Sequence, residues 1–191
     1  MSDDEILRLF KESKALLEGH FKLRSGLHSN QFFQCALLTQ NPKIASRLCE
    51  LLVQKINSIL NIDEIDTIIA PAMGGITLGH DVARVMDKRF IFVEKDDGKL
   101  KLRRFDISKN EKFLIIEDVV TKGGRVQETI DIVKNNKGIL VGIGILVDRS
   151  NHMIDFGVPL LSLLKINPQV YESDDLPLWL EKIPLTIPGS K

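Results

Sequence analysis

Two adjacent carboxylates, Glu117 and Asp118, close an apolar run and open a loop of small and cationic residues, Val119-Val120-Thr121-Lys122-Gly123-Gly124-Arg125. The run before them, Phe113-Leu114-Ile115-Ile116, has the composition of a buried strand. A loop of this kind turns backbone N–H groups and the positive end of the next helix toward an anion. Thr121 adds a hydroxyl donor, and Gly123 and Gly124 let the backbone approach a phosphate closely. Acids beside such a loop would repel the anion unless they hold hydroxyls or a metal-bridged sugar. A ribose 5-phosphate satisfies both halves, with its phosphate in the loop and its 2′- and 3′-hydroxyls on Glu117 and Asp118. A plain strand-to-helix turn with solvated acids is the alternative. The segment lacks both GxGxxG and the GxxxxGK of P-loops, so the commoner nucleotide loops do not apply.

Chemistry of this kind needs a sheet edge to stand on, and the flanking sequence supplies one. Ser2-Asp3-Asp4-Glu5 reads as a capping box, followed by Ile6, Leu9, Phe10, Leu16 and Leu17 at helical spacing. That pattern predicts a helix to about Glu18, ended by Gly19. Residues 20–38 read as irregular strands and turns. Asn41-Pro42 is an N-cap with proline in the first turn, opening a helix with Ile44, Leu48, Leu51, Leu52 and Ile59 on one face. Apolar strands are then expected at 67–70, 90–93, 113–116, 139–147 and 158–164, with helices over about 76–87 and through Val126, Ile130 and Val133. Gly138 stops the latter helix. Continuous apolar strands alternating with helices predict an open, mostly parallel α/β sheet flanked by helices on both faces. The chain reads as a single domain over 1–191, with a helix and hood over 1–40, a core over 62–165 and a tail over 166–191. Prolines place the tail in loop or hood rather than core.

Composition narrows the partners. Lys plus Arg and Asp plus Glu both number 26, so no overall field draws the chain to nucleic acid or to an anionic membrane. The N-terminus is acidic where a signal peptide would be basic, and no apolar run approaches the roughly 20 residues of a membrane span. Cys35 and Cys49 are too far apart for a CxxC site and read as buried small hydrophobes of a reducing, cytoplasmic setting.

The stretch from Phe113 to Arg125 resembles the 5-phosphoribosyl-1-diphosphate (PRPP) signature of type I phosphoribosyltransferases, and the resemblance extends over about residues 16–165. Ala70-Pro71-Ala72-Met73-Gly74-Gly75-Ile76 is similar to that family's pyrophosphate loop, with Gly74 where many members carry lysine. Phe21 to Ser29, with Phe32 and Phe33, resembles the hood of the orotate-specific branch, and Leu146-Val147-Asp148-Arg149 resembles the strand end where that branch puts an arginine on orotate's carboxylate. The resemblance implies a magnesium-dependent transfer of ribose 5-phosphate from PRPP to orotate in UMP biosynthesis. It implies PRPP contacts from residues 117–125 and from Ala72, Met73, Gly74 and Gly75, and orotate contacts from Thr121, Arg149, Arg24, Phe32 and Phe33. No protein cage for the metal is implied, Mg²⁺ being held mainly through PRPP. The polar stretch Glu94 to Phe105 matches a lid that closes over the partner's site in a homodimer, so Lys95 and Lys99 join Glu117 and Asp118 as candidate catalytic residues, with Gly98 as a hinge.

On the residues alone, Arg149 also suits a surface pair with Asp148, Phe32-Phe33 a core pair, and the polar stretch a solvated loop. Two other functions share the loop: a purine-base phosphoribosyltransferase, which needs neither Arg149 nor the hood, and a non-catalytic PRPP-binding regulator. The regulator would bring a DNA-binding module for which the length and neutral charge leave no obvious room.

Overall fold

The computed structural model describes residues 3–23 and 26–187, which leaves Ser2 of the expected capping box and Arg24 of the expected orotate contacts outside the described residues. Helix α1 (Asp3–Glu12) stops well before Glu18. Lys14 turns left-handed (φ 59), and the Ala15 N–H donates back to the Phe10 carbonyl at 2.9 Å. The next residues, expected as helix, form strand β1 (Leu16–Lys22), which pairs antiparallel with β2 (His28–Phe33). Leu16, read as helical, is the strand's buried start against Phe33. The register shifts between Glu18 and Phe21, so Gly19 marks a bulge inside a strand rather than a helix end. That irregularity lets the consecutive residues His20 and Phe21 both become buried.

A short helix α2 (Ala36–Thr39) leads to α3 (Pro42–Asn57), whose N-cap Asn41 accepts from the Ile44 N–H with Pro42 in the first turn. Leu48, Leu51 and Leu52 are buried as their spacing predicts, but Ile59 lies past the helix end and is 59 % exposed. The core then alternates: β3 (Thr67–Pro71), α4 (Gly74–Met86), β4 (Arg89–Asp96), β5 (Lys99–Lys101), β6 (Lys112–Val120), α5 (Gly124–Asn135), β7 (Ile139–Asp148) and β8 (Leu160–Lys165). The sheet order is β5-β4-β3-β6-β7-β8, parallel throughout except for the β4–β5 pair. Period-two alternation sends Ile68, Leu114 and Ile116 into one core and Ile69, Phe113 and Ile115 into the other. Helices α1, α3 and α4 cover the first face and α5 the second.

One segment departs from expectation, and the tail, expected in loop or hood, joins the hood. The polar stretch after β4 is a β-hairpin, in which Asp97 (φ 49) and Gly98 (φ 83) make the two-residue turn between Asp96 and Lys99. Gly98 is there the second turn residue, at a positive φ that glycine tolerates. Leu100, Leu102, Phe105 and Ile107 then pack the chain back onto the second core. The tail is also ordered. Strand β9 (Val170–Tyr171) joins β2, helix α6 (Leu178–Glu181) buries Leu180, and β10 (Leu185–Thr186) pairs parallel with β1. The hood is thus a four-stranded sheet, β10-β1-β2-β9, to which the N-terminal segment contributes two strands and the tail the other two.

Candidate active site

Strand β6 delivers its carboxylates to the carboxyl edge of the sheet, where open α/β folds bind ligands. The Glu117 side chain is buried and accepts from the Asp118 N–H at 3.0 Å, while half-buried Asp118 accepts from the Val119 N–H at 2.8 Å. Burial pushes the Glu117 carboxyl well above its ordinary value of 4.5, and the neighbouring Asp118 carboxylate adds to the rise. The folded chain therefore holds a proton on Glu117 that the unfolded chain releases. Stability from this group is complete below about pH 4.5 and is lost as pH rises toward the raised value. Glu117→Gln removes the loss, and near pH 8 its Tm should exceed wild type by at least about 2 °C without ligand. Parallel Tm-against-pH curves for the two proteins would sink this assignment.

Beyond the pair, Gly123 (φ 75) turns the chain into α5. A Cβ on Gly123 would overlap the Phe156 ring at 2.7 Å, so close packing and backbone conformation both call for glycine there. Across the cleft, Ala72 and Met73, joined by a cis peptide bond, lead from β3 into α4. Gly74 lies directly against the Asp118 carboxylate, with no room for a Cβ unless that carboxylate swings away. A Cβ on Gly75 would come within 2.9 Å of the Ile116 carbonyl oxygen. Two glycines therefore let the start of α4 lie on the end of β6. The starts of α4 and α5 line one cavity of about 750 Å³, with the acidic pair between them. Two helix N-termini make two positive ends, each suited to an anionic group. Arg125, in the first turn of α5, spans the cleft: its Nη1 donates to the Ala72 carbonyl at 3.2 Å.

The structure thus brings Ala72, Met73, Gly74 and Glu117 through Arg125 together around one cavity, with Gly75 buried behind it. It also adds Gln34 and Ala36, from the segment joining hood to core, and Glu128 of α5. Glu128 had a signal in the sequence, standing one helical turn after Gly124. Gln34 and Ala36 had none, because only the tertiary fold turns that segment toward the loop. Arg149 continues β7, its N–H donating to the Val120 carbonyl at 2.8 Å. Its guanidinium stacks over the Phe33 ring at 5.3 Å, and its buried Nε has no hydrogen-bond partner among the described residues. Asp148 does not pair with it, accepting instead from Ser150 and meeting Lys165 at 3.4 Å. Burial pushes the Cys35 thiol up; the Asp118 carboxylate adds to the rise and Arg149 opposes it. Phe33 is buried and Phe32 half-buried, and neither they nor Arg149 line the cavity itself.

Lys95 and Lys99 stand exposed on the hairpin, away from the cavity lining. Of their neighbours, Lys101 pairs with Asp96 at 2.8 Å and Arg104 forks onto Glu94 at 2.8 and 3.0 Å. The hairpin's second strand is tied to the cavity rim, where Glu128 accepts from the Leu100 N–H at 2.9 Å.

Residues 36–155 match the phosphoribosyl transferase domain family. The orotate phosphoribosyltransferase of Carboxydothermus hydrogenoformans is 46 % identical over 98 % of this chain and 97 % of its own length. That of Erythrobacter litoralis is 44 % identical over 100 % of this chain and 99 % of its own. Among solved structures, orotate phosphoribosyltransferase from Aeropyrum pernix superposes with a TM-score of 0.70 at 21 % identity, covering 84 % of this chain and 93 % of that one, a likeness of fold.

Proposed function

The chain belongs to the phosphoribosyltransferase family, among its orotate phosphoribosyltransferases, and from that premise we propose that it transfers ribose 5-phosphate from PRPP to orotate, giving orotidine 5′-monophosphate and diphosphate in UMP biosynthesis. The observation that carries the reading is the single cavity on which two helix N-termini meet across the Glu117–Asp118 pair. In the reaction the bond from ribose C1 to the diphosphate oxygen breaks, diphosphate leaves with the electron pair, and a ring nitrogen of orotate bonds to C1. Positive charge develops on the sugar as in glycoside transfer. Glu117, protonated, and Asp118, ionised, hold the 2′- and 3′-hydroxyls, and Asp118 places negative potential beside that charge. The N–H groups from Thr121 to Arg125 receive the 5-phosphate, and the Ala72–Gly75 loop receives the diphosphate. Orotate lies toward Arg149, Thr121, Phe32 and Phe33, with Arg24 of the hood as a further contact.

The donors at hand are hard carboxylate oxygens, which suit Mg²⁺. Among the described residues no three metal-binding side chains cluster to hold an ion by themselves, so Glu117 and Asp118 would hold Mg²⁺ through the hydroxyls of the bound sugar. When bound, the ion neutralises the departing diphosphate. No described helix is long and apolar enough to cross a membrane, and both cysteines are free and buried, which suits work in the cytoplasm.

The direct test follows orotate absorbance in the presence of PRPP and Mg²⁺, alongside hypoxanthine, guanine, adenine and uracil. Consumption of orotate alone is the expected result, and turnover of a purine in its place would overturn the reading. We further propose a homodimer in which the β4–β5 hairpin, with Lys95 and Lys99, closes over the partner's cavity. Mixing an Asp118→Asn protomer with a protomer carrying alanine at Lys95, Lys99 and Lys101 should then recover about one quarter of wild-type activity. At statistical mixing half the dimers are mixed, and each mixed dimer has one complete site. No recovery despite measured subunit exchange would mean that the hairpin serves its own subunit.

A further inference from the structure

Diphosphate carries charge that must be met as it leaves, yet the loop expected to receive it, Ala70 to Ile76, holds no cation of its own. Gly74 moreover lies against the Asp118 carboxylate, which puts negative charge at that wall. The hairpin cations Lys101 and Arg104 are paired within the hairpin, and Lys95 and Lys99 stand off the cavity of their own subunit. Arg125 is placed otherwise. It lines the cavity from the α5 side and reaches across to the Ala72 carbonyl on the far loop, at 3.2 Å. A guanidinium carries five N–H donors, of which Ala72 takes one, and its planar fork matches a pair of phosphate oxygens.

We propose that Arg125 is the diphosphate-binding cation of its own subunit, supplying from the opposite wall the charge that this loop does not. The assignment rests on the PRPP reading above and gives one residue of the ribose-phosphate loop a second duty. As diphosphate enters, the Nη1 donor turns from the Ala72 carbonyl to a diphosphate oxygen. The same residue then meets the charge that builds as the C1–oxygen bond breaks.

Arg125 is exposed, so substitution there spares the core. Calorimetry with diphosphate plus Mg²⁺, and separately with ribose 5-phosphate, reads the assignment without turnover. Arg125→Ala and Arg125→Gln should weaken diphosphate by roughly 10- to 150-fold. Arg125→Lys should keep most of the affinity, and ribose 5-phosphate should bind all four proteins alike. Arg125→Gln keeps an N–H donor without charge, so equal affinity in the Gln and Lys variants would show a mere strap between loops and overturn the proposal. Equal losses for ribose 5-phosphate would overturn it too, by returning the guanidinium to the 5-phosphate. If wild type binds diphosphate but consumes no orotate, the functional reading fails while the Arg125 assignment is still decided by the variants.

Discussion

Asp118→Asn is expected to cut turnover by roughly 100- to 1000-fold, the scale of losing one preorganised group that meets transition-state charge. The change is nearly isosteric. Asparagine keeps an oxygen able to accept from the Val119 N–H, as Asp118 does at 2.8 Å, so the strand end should hold its shape. What disappears is a negative charge beside the sugar at the moment the sugar becomes positive. Asp118 is only half-buried and belongs to neither apolar core, so the Tm should move little. Initial rates of orotate consumption and a melting curve on the same preparation check both halves. Near wild-type kinetics would remove the ribose role from this carboxylate, whatever the loops around it do.

Arg149→Ala should raise the KM for orotate by about 10- to 150-fold, the worth of a charge-assisted hydrogen bond, and leave the KM for PRPP near wild type. The structure sharpens this expectation by removing its rival. Asp148 is engaged with Ser150 and Lys165, so Arg149 is not half of a surface pair. Its Nε is buried with no described partner, and burial pulls its pKa below the ordinary arginine value. A buried, unsatisfied donor is costly, and a bound carboxylate offers the matching bidentate acceptor. Stacking on Phe33 fixes the plane of the fork in advance. Steady-state kinetics with each substrate varied in turn separates the outcomes. Equal losses toward both substrates would show that Arg149 supports the site's structure rather than reading orotate.

Much of this arrangement was legible in the sequence, for physical reasons. Buried parallel strands need continuous apolar runs, so β3, β6 and β7 announced themselves. Loops suited to anions carry glycine at strand ends, and the two glycine loops read in that way line one cavity. What was not legible depends on partners distant in the chain. Leu16 and Leu17 extend the periodicity of α1, and only pairing with Phe33 and Phe32 makes them strand. Strand β10 has two residues, and its register with His20 and Phe21 leaves no local pattern to find. The hairpin was hidden differently. Its charges read as a long polar loop, a lid by resemblance, although Asp97-Gly98 is the dipeptide that favours a two-residue turn. The close contact of Gly74 with Asp118 joins the start of α4 to the end of β6, which no spacing rule relates.

The hood's four strands come from both sides of the core in the chain, β1 and β2 before it and β9 and β10 after it. The core from β3 to β8 has its own strands and helices and can close its sheet while β1 and β2 still lack flanking strands. The cavity lined by the Gly74 and Thr121 loops therefore depends on the tail less directly than the hood beside Arg149 does. Until β10 arrives, β1 presents an open edge, including the backbone of His20 and Phe21 that later pairs with Leu185 and Thr186. An unpaired edge of that kind invites pairing with other chains. A chain that has lost β10 by clipping or truncation would thus keep its core and expose the β1 edge, the form of this protein most open to aggregation.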